Sequence, residues 1–458
     1  MSFLEILLAT AMTLLVVAPL VVAYRHKDQT WFWSPLTMFA AVFAYYFVAG
    51  PLLALCFNNT FAYGIDLRGM MAKAWLAGVL GLASIYAGFT LKARPYSTRL
   101  VAAVNRPLQR RFWKFFALLT GLGLLGLVYN IYMSGQSLVQ VFLPVHSASI
   151  EVADVERQGM AAGNYVFLLI NVFIPAFCLL FALTARRPPV QRLLIVGLPV
   201  IVVILFYVSI AFRHRIVVLL LALAATAGLL QRKRPALALV AAGAAGIVLL
   251  SGFIVLTRTY GRGLDLTQIS HLSFSEVFLG GFNDANTFLT TGLVIDSIPA
   301  TFPHVGLEPV WIALTIPIPR AFWPDKPYSS FLQYFDYLTG TQGQAVPVVG
   351  EHYMMGGWIG IIIGGLVLGL IYRRFWEFYR ANPRNPLVIV MYAVSWALVF
   401  PVVNRGYLAQ TLMEFFFDLL PLVVFYAATR KLLLVNPKTA RALVREAAAG
   451  PAALAEAN

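Results

Sequence analysis

Arginine recurs in this chain in short motifs at the ends of apolar runs. Arg213 and Arg215 flank His214 in AFRHRIV, Arg258 and Arg262 stand four apart in TRTYGRG, and Arg405 sits in VNRGY. Two more cations, Arg320 and Lys326, are set among prolines and Trp323 in IPIPRAFWPDKPYSSF. Guanidinium groups pair with phosphate oxygens two at a time and stay charged when partly desolvated, so such a set suits an anionic group. Candidate acids and bases are present as well. Glu351 and His352 stand together in VVGEHYMMGGWIG, and Asp284 lies beside Asn283 in GGFNDANTF. Either kind of group can take a proton from a hydroxyl within hydrogen-bond reach. The same residues also suit structural tasks, a helix cap for Glu351 and an Asx-turn for Asp284. Glu414 and Asp418 are four apart and share one helix face. They repel unless one is protonated or a cation lies between them, so they are expected to face a bundle interior. No Walker loop, dinucleotide fingerprint or zinc-binding helix motif occurs. His146, His271 and His304 are scattered without zinc-ligand spacing.

The elements that must position these groups are membrane helices. The chain is 60% hydrophobic and 12% charged over 458 residues, with mean hydropathy +0.79. Soluble domains carry about 25% charged residues. Continuous apolar runs lie near 2–24, 32–57, 71–91, 112–133, 164–185, 193–212, 216–230, 236–257, 356–372, 387–403 and 407–429. They predict an all-α polytopic membrane protein of about eleven transmembrane helices. Their continuity excludes a β-barrel, which alternates. The first run contains Glu5 and has no basic start, so it reads as a membrane helix rather than a cleaved signal. Cys56 and Cys178 both lie in apolar runs, which argues against a disulfide framework.

A net charge of +15 would suggest nucleic acid in a soluble protein; here its distribution follows the positive-inside rule. Basic clusters fall after every second run, at 25–27, 92–111, 186–192, 232–234, 373–384 and 430–445. This predicts an outside N-terminus and a cytoplasmic C-terminus. The expected organisation is eight helices over 1–257, a large outer loop over 258–355, three helices over 356–429 and a cytoplasmic tail over 430–458. Within the loop, EPVWIALTIPIP is too short to span and reads as interfacial or re-entrant. The prolines at 317, 319, 324 and 327 exclude a continuous helix through the charged stretch. On this topology the arginine motifs mark the outer face, where they are informative because the rule does not explain them.

The combination of IPRAFWPDKP in a large outer loop with GEHYMMGGWIGIIIGG entering the next helix resembles the O-antigen polymerase (Wzy-like) family. RTYGRG and the RHR turn are similar to basic positions of that family. The resemblance covers mainly 207–370. It implies a GT-C-like membrane glycosyltransferase in the bacterial inner membrane, with its active site on the periplasmic side. Its substrate would be an undecaprenyl-diphosphate-linked oligosaccharide, polymerised with lipid diphosphate as leaving group, for O-antigen or exopolysaccharide. Arg213, Arg215, Arg258, Arg262, Arg320, Lys326 and Arg405 would then bind the diphosphate. Glu351 would be the base, with His352 and Asp284 as the next choices. Trp323, Tyr260, Asn283 and Tyr353 would meet sugar. No cofactor or metal is expected. Membrane lipids, a chain-length regulator and a flippase are the implied partners, and nucleic acid is not. The competing readings are an O-antigen ligase, a lipid-linked oligosaccharide flippase or other transporter, and a scaffold.

Overall fold

A computed structural model describes residues 1–62, 65–91, 96, 100, 106–134, 164–209, 213–259, 263–264, 273–282, 286–318, 322–327, 329–340 and 346–433. The apolar runs form helices because a helix satisfies its backbone donors and acceptors within one segment, as a bilayer requires. In chain order these are α1 (Phe3–Arg25), α2 (Pro35–Cys56), α3 (Arg68–Thr90), α4 (Pro107–Met133), α5 (Tyr165–Leu183), α6 (Pro189–Val208) and α7 (Arg213–Gln231). The eighth helix, α8 (Leu237–Thr257), contains the shorter apolar stretch Leu237–Phe253. Four short helices follow: α9 (Phe274–Phe282), α10 (Asn286–Ser297), α11 (Glu308–Thr315) and α12 (Ser330–Thr339). The chain returns through α13 (Val348–Ala381), α14 (Pro386–Asn404), and α15 (Leu408–Asp418) with α16 (Leu420–Leu433), which meet at 43°. Among the described residues, 9 helices are long and apolar enough to cross a membrane, or 10 if the bent pair counts as one span. Among the described residues, strands form two small antiparallel pairs. In one, β1 (Phe61–Ala62) meets β2 (Ile65–Asp66); in the other, β3 (Arg258–Thr259) meets β4 (Gly263–Leu264).

Side-chain contacts sort the connections into two ends. At one end Glu5 holds Arg68 through paired contacts of 2.5 and 3.0 Å, and Lys73 meets Asp296. At the other, the Tyr24 hydroxyl donates to Pro235 O, Trp33 Nε1 donates to Lys233 O, and Arg234 lies 4.7 Å over the Tyr24 ring. Arg380 lies over Trp31 at that same end, and Asn382 accepts from the backbone of Leu100. The basic connections around 25, 100, 233 and 380 thus gather together, away from the end holding the N-terminus and Arg68.

The loop boundary expected at 355 is shifted: α13 begins at Val348, so Glu351, His352 and Tyr353 are helical. This helix is not straight. Gly356 and Gly357 leave helical geometry, and Gly357 has φ +61°, which only glycine adopts cheaply. The imidazole of His352 lies against Gly364, and its carbonyl lies against Gly360. In a straight helix 352 and 364 would be about 18 Å apart, so the arm 348–355 folds back on the arm that follows.

That second arm packs along α3 through bare backbone. Gly88 faces the Leu366 carbonyl, Gly369 faces Ile85 O, and Gly365 meets Ser84. Small residues let membrane helices approach this closely, since lipid supplies no hydrophobic drive between them. Gly369→Ala is expected to lower the melting temperature in detergent, with overpacking costing about 1–3 kcal/mol. Gly243, which has nothing within 4 Å, is the control: Gly243→Ala should hold or raise the melting temperature.

Candidate functional site

The bundle interior between α5, α7, α14 and α15 contains a charged cavity. It is lined by Asn171 and Ile174 of α5, His214, Arg215 and Val218 of α7, Leu398 of α14, and Glu414 and Asp418 of α15. Asn171 lies six residues inside Tyr165, and Leu398 six residues inside Asn404. At 1.5 Å per residue the cavity is about 9 Å below those helix ends. All its polar residues are buried, Asp418 to 2% exposure and Asn171 to 3%.

Helical spacing creates the acidic side: Glu414 and Asp418 are one turn apart on α15, and both point inward, as their repulsion in lipid requires. The groups between them and the rest of the bundle are cationic or polar. His214 Nε2 lies 3.6 Å from Glu414 Oε1, and Gln410 donates to that same oxygen at 3.2 Å. The Arg215 guanidinium lies 5.5 Å over the Phe167 ring and close enough to Glu414, Asp418 and Arg405 to interact electrostatically with each. Asp418 Oδ1 and Asn171 Oδ1 are buried with no hydrogen-bond partner among the described residues. Buried oxygens are nearly always satisfied, so two acceptors lining one water-sized cavity mark a place for a small donor.

Arg405 ends α14 with its backbone donating to Pro401 O at 2.8 Å, and it is half-buried. Arg215 lines the cavity with the two carboxylates, and Arg405, 190 residues further along the chain, lies within electrostatic range of it. Arg213 opens α7 and Arg258 opens β3, but their side chains lie outside the described residues, as do Arg262, Arg320, Tyr260, Asn283 and Asp284.

The remaining expected site residues have other partners. Glu351 Oε1 accepts from Leu408 N at 2.8 Å, capping the first turn of α15 from another helix, and the residue is 2% exposed. The capping role expected for Glu351 is real, though on α15 rather than on its own helix. Next to it, Tyr407 stacks on Phe331 at 5.8 Å. Burial, reinforced by the Glu351 carboxylate, pushes the Tyr407 phenol up to about 12, so it stays neutral at ordinary pH. His352 is wedged in the α13 fold-back. Tyr353 donates to Ile298 O at 3.2 Å and packs edge-on to Trp358 and His304, leaving it 6% exposed.

Lys326 corrects the expectation that it projects toward a phosphate. Its Nζ donates to the carbonyls of Ile316 and Ile318, each at 3.1 Å, and the residue is 8% exposed. Those carbonyls follow the end of α11, where prolines prevent the next turn from supplying donors, and an ammonium group satisfies them. Trp323, half-buried, accepts a backbone bond from Lys326. The charged proline turn is thus closed by its own lysine. Sequence reasoning noted the Glu414 and Asp418 pair without its partners, because α5 and α7 lie some two hundred residues away.

No protein-family model, curated protein or solved structure matches the chain.

Proposed function

We propose that this protein is a membrane glycosyltransferase that polymerises undecaprenyl-diphosphate-linked oligosaccharide repeat units at the periplasmic face of the bacterial inner membrane. The observation that carries the reading is the cavity itself. A buried, unpartnered carboxylate oxygen of Asp418 (among the described residues) adjoins Arg215, with Arg405 alongside. Glycosyl transfer to a sugar hydroxyl needs those two kinds of group side by side. The acceptor oxygen forms a bond to the anomeric carbon, the bond from that carbon to the diphosphate breaks, and the hydroxyl proton must leave. Asp418 takes the proton, and Asn171 Oδ1 accepts from a second hydroxyl of the acceptor sugar. Arg405 stabilises charge developing on the departing diphosphate. Arg215 holds the carboxylates in position. Glu351 acts through structure, fixing the start of α15 and hence the pitch of Glu414 and Asp418.

One observation favours a second reading, a transporter of the same lipid-linked sugar: the ionisable groups lie inside the bundle, where transport pathways run. A single reconstitution separates the two. Purified protein in liposomes with a lipid-linked repeat unit is expected to produce a ladder of longer lipid-linked glycans, and Arg405→Ala should abolish the ladder. Transbilayer movement of the substrate without elongation would establish the transporter instead, and the absence of both would leave the lipid-linked substrate without support.

A further inference from the structure

The loop helix α11 has one face held and one face open. Ile312 and Ala313 are buried against Ala409 of α15, and Ile316 packs on the cluster that Leu119, Val172 and Met413 help to form between α4, α5 and α15. The Tyr165 hydroxyl, at the start of α5, donates to Ile316 O. The opposite face carries Leu307, Trp311, Leu314 and Ile318, exposed to 75%, 54%, 65% and 41%. Trp311 and Leu314 share one face of α11, with Leu307 at its N-cap and Ile318 in the turn that follows it. Glu308, the charge at the helix start, is turned aside to accept from Ser330 N at 2.6 Å. Lys326 is drawn inward to the carbonyls of 316 and 318, so neither charge interrupts the stripe.

From this we infer that the stripe is immersed in the hydrocarbon of the adjacent bilayer leaflet, making α11 a membrane-seated half-helix rather than part of an aqueous lid. Exposed apolar side chains alone do not identify what covers them; the held face does. α11 is clamped at the level of membrane helices, onto α15, which itself exposes Phe416 and continues into α16 with Val424 exposed. A face turned outward at that level meets what surrounds those helices. The stripe is uncharged, and Trp311 at its outer part suits the headgroup boundary, where membrane proteins concentrate this residue. Eight residues are too few to span, so the segment enters the leaflet without crossing it. This inference does not depend on the proposed reaction. It has a consequence for it: α15, on which α11 is clamped, also carries Glu414 and Asp418.

The test uses a spin label on single cysteines in a Cys56→Ser, Cys178→Ala background, reconstituted in nanodiscs of phosphatidylethanolamine and phosphatidylglycerol. Collision of the label with oxygen, which partitions into lipid, is compared with collision with a water-soluble nickel chelate. Val424→Cys on a membrane helix and Asp325→Cys in the exposed turn set the two ends of the scale. Leu314→Cys and Leu307→Cys are expected to fall with Val424→Cys, oxygen access exceeding chelate access several-fold. Values falling with Asp325→Cys would put the stripe in water and overturn the inference. Low access to both reagents would overturn it too, by showing that protein, such as a second copy of this chain, covers the face.

Discussion

Asp418→Asn is expected to slow glycan elongation by about a hundredfold to ten-thousandfold, the usual cost of losing a general base. The substitution keeps size and the ability to accept a hydrogen bond, and it removes the charge and with it the ability to take a proton. Glu351→Gln is the paired comparison. An amide oxygen at Glu351 can still accept from Leu408 N, so this variant should elongate at close to the wild-type rate. Glu351→Ala removes the cap and leaves the Leu408 donor buried, with a stability loss of about 1–3 kcal/mol and turnover falling only with the folded fraction. Elongation rates and melting temperatures of the three variants decide the roles. An inactive, fully folded Glu351→Gln beside an active Asp418→Asn would exchange the two assignments and return the base to α13.

Removal of the buried cation should have the largest effect on stability. Arg215→Met leaves Glu414 and Asp418 one turn apart with His214 as the remaining basic side chain lining the cavity. Breaking a buried ionic set by deleting one partner costs about 3–5 kcal/mol, chiefly because the remaining charge is left desolvated. Arg215→Lys keeps the charge and loses the planar fork and its stacking on Phe167, so it should melt between the two. Combining Arg215→Met with Glu414→Gln and Asp418→Asn removes the stranded charges and should recover most of the lost stability. The triple variant should remain inactive. Equal melting temperatures for Arg215→Met and wild type would show that Arg215 does not hold the carboxylates.

Much of the architecture is determined by sequence alone, and for a simple physical reason. A bilayer forbids unsatisfied backbone over some thirty ångströms, so a continuous apolar run has one available structure. Each predicted run accordingly contains a helix. The basic connections could be grouped in advance because charge alternation is a property of the linear chain. The inward direction of Glu414 and Asp418 was legible too, since two acids at helical spacing are too costly to leave in lipid. What faces them was not. His214, Arg215 and Asn171 come from helices that only folding brings to α15, and no local pattern encodes that meeting. Lys326 and Glu351 show the same limit from the other side. In sequence each looks like a free charge in an aromatic or glycine-rich setting. Their partners are backbone groups, the carbonyls of Ile316 and Ile318 and the amide of Leu408. Backbone groups are identical at every residue, so which of them lacks a partner is decided by where helices end and what packs there. The sharp fold-back of α13 belongs to the same class. Gly356 and Gly357 permit it, but the bare backbone of Gly360 and Gly364 is what gives the returning arm a surface close enough to pack against.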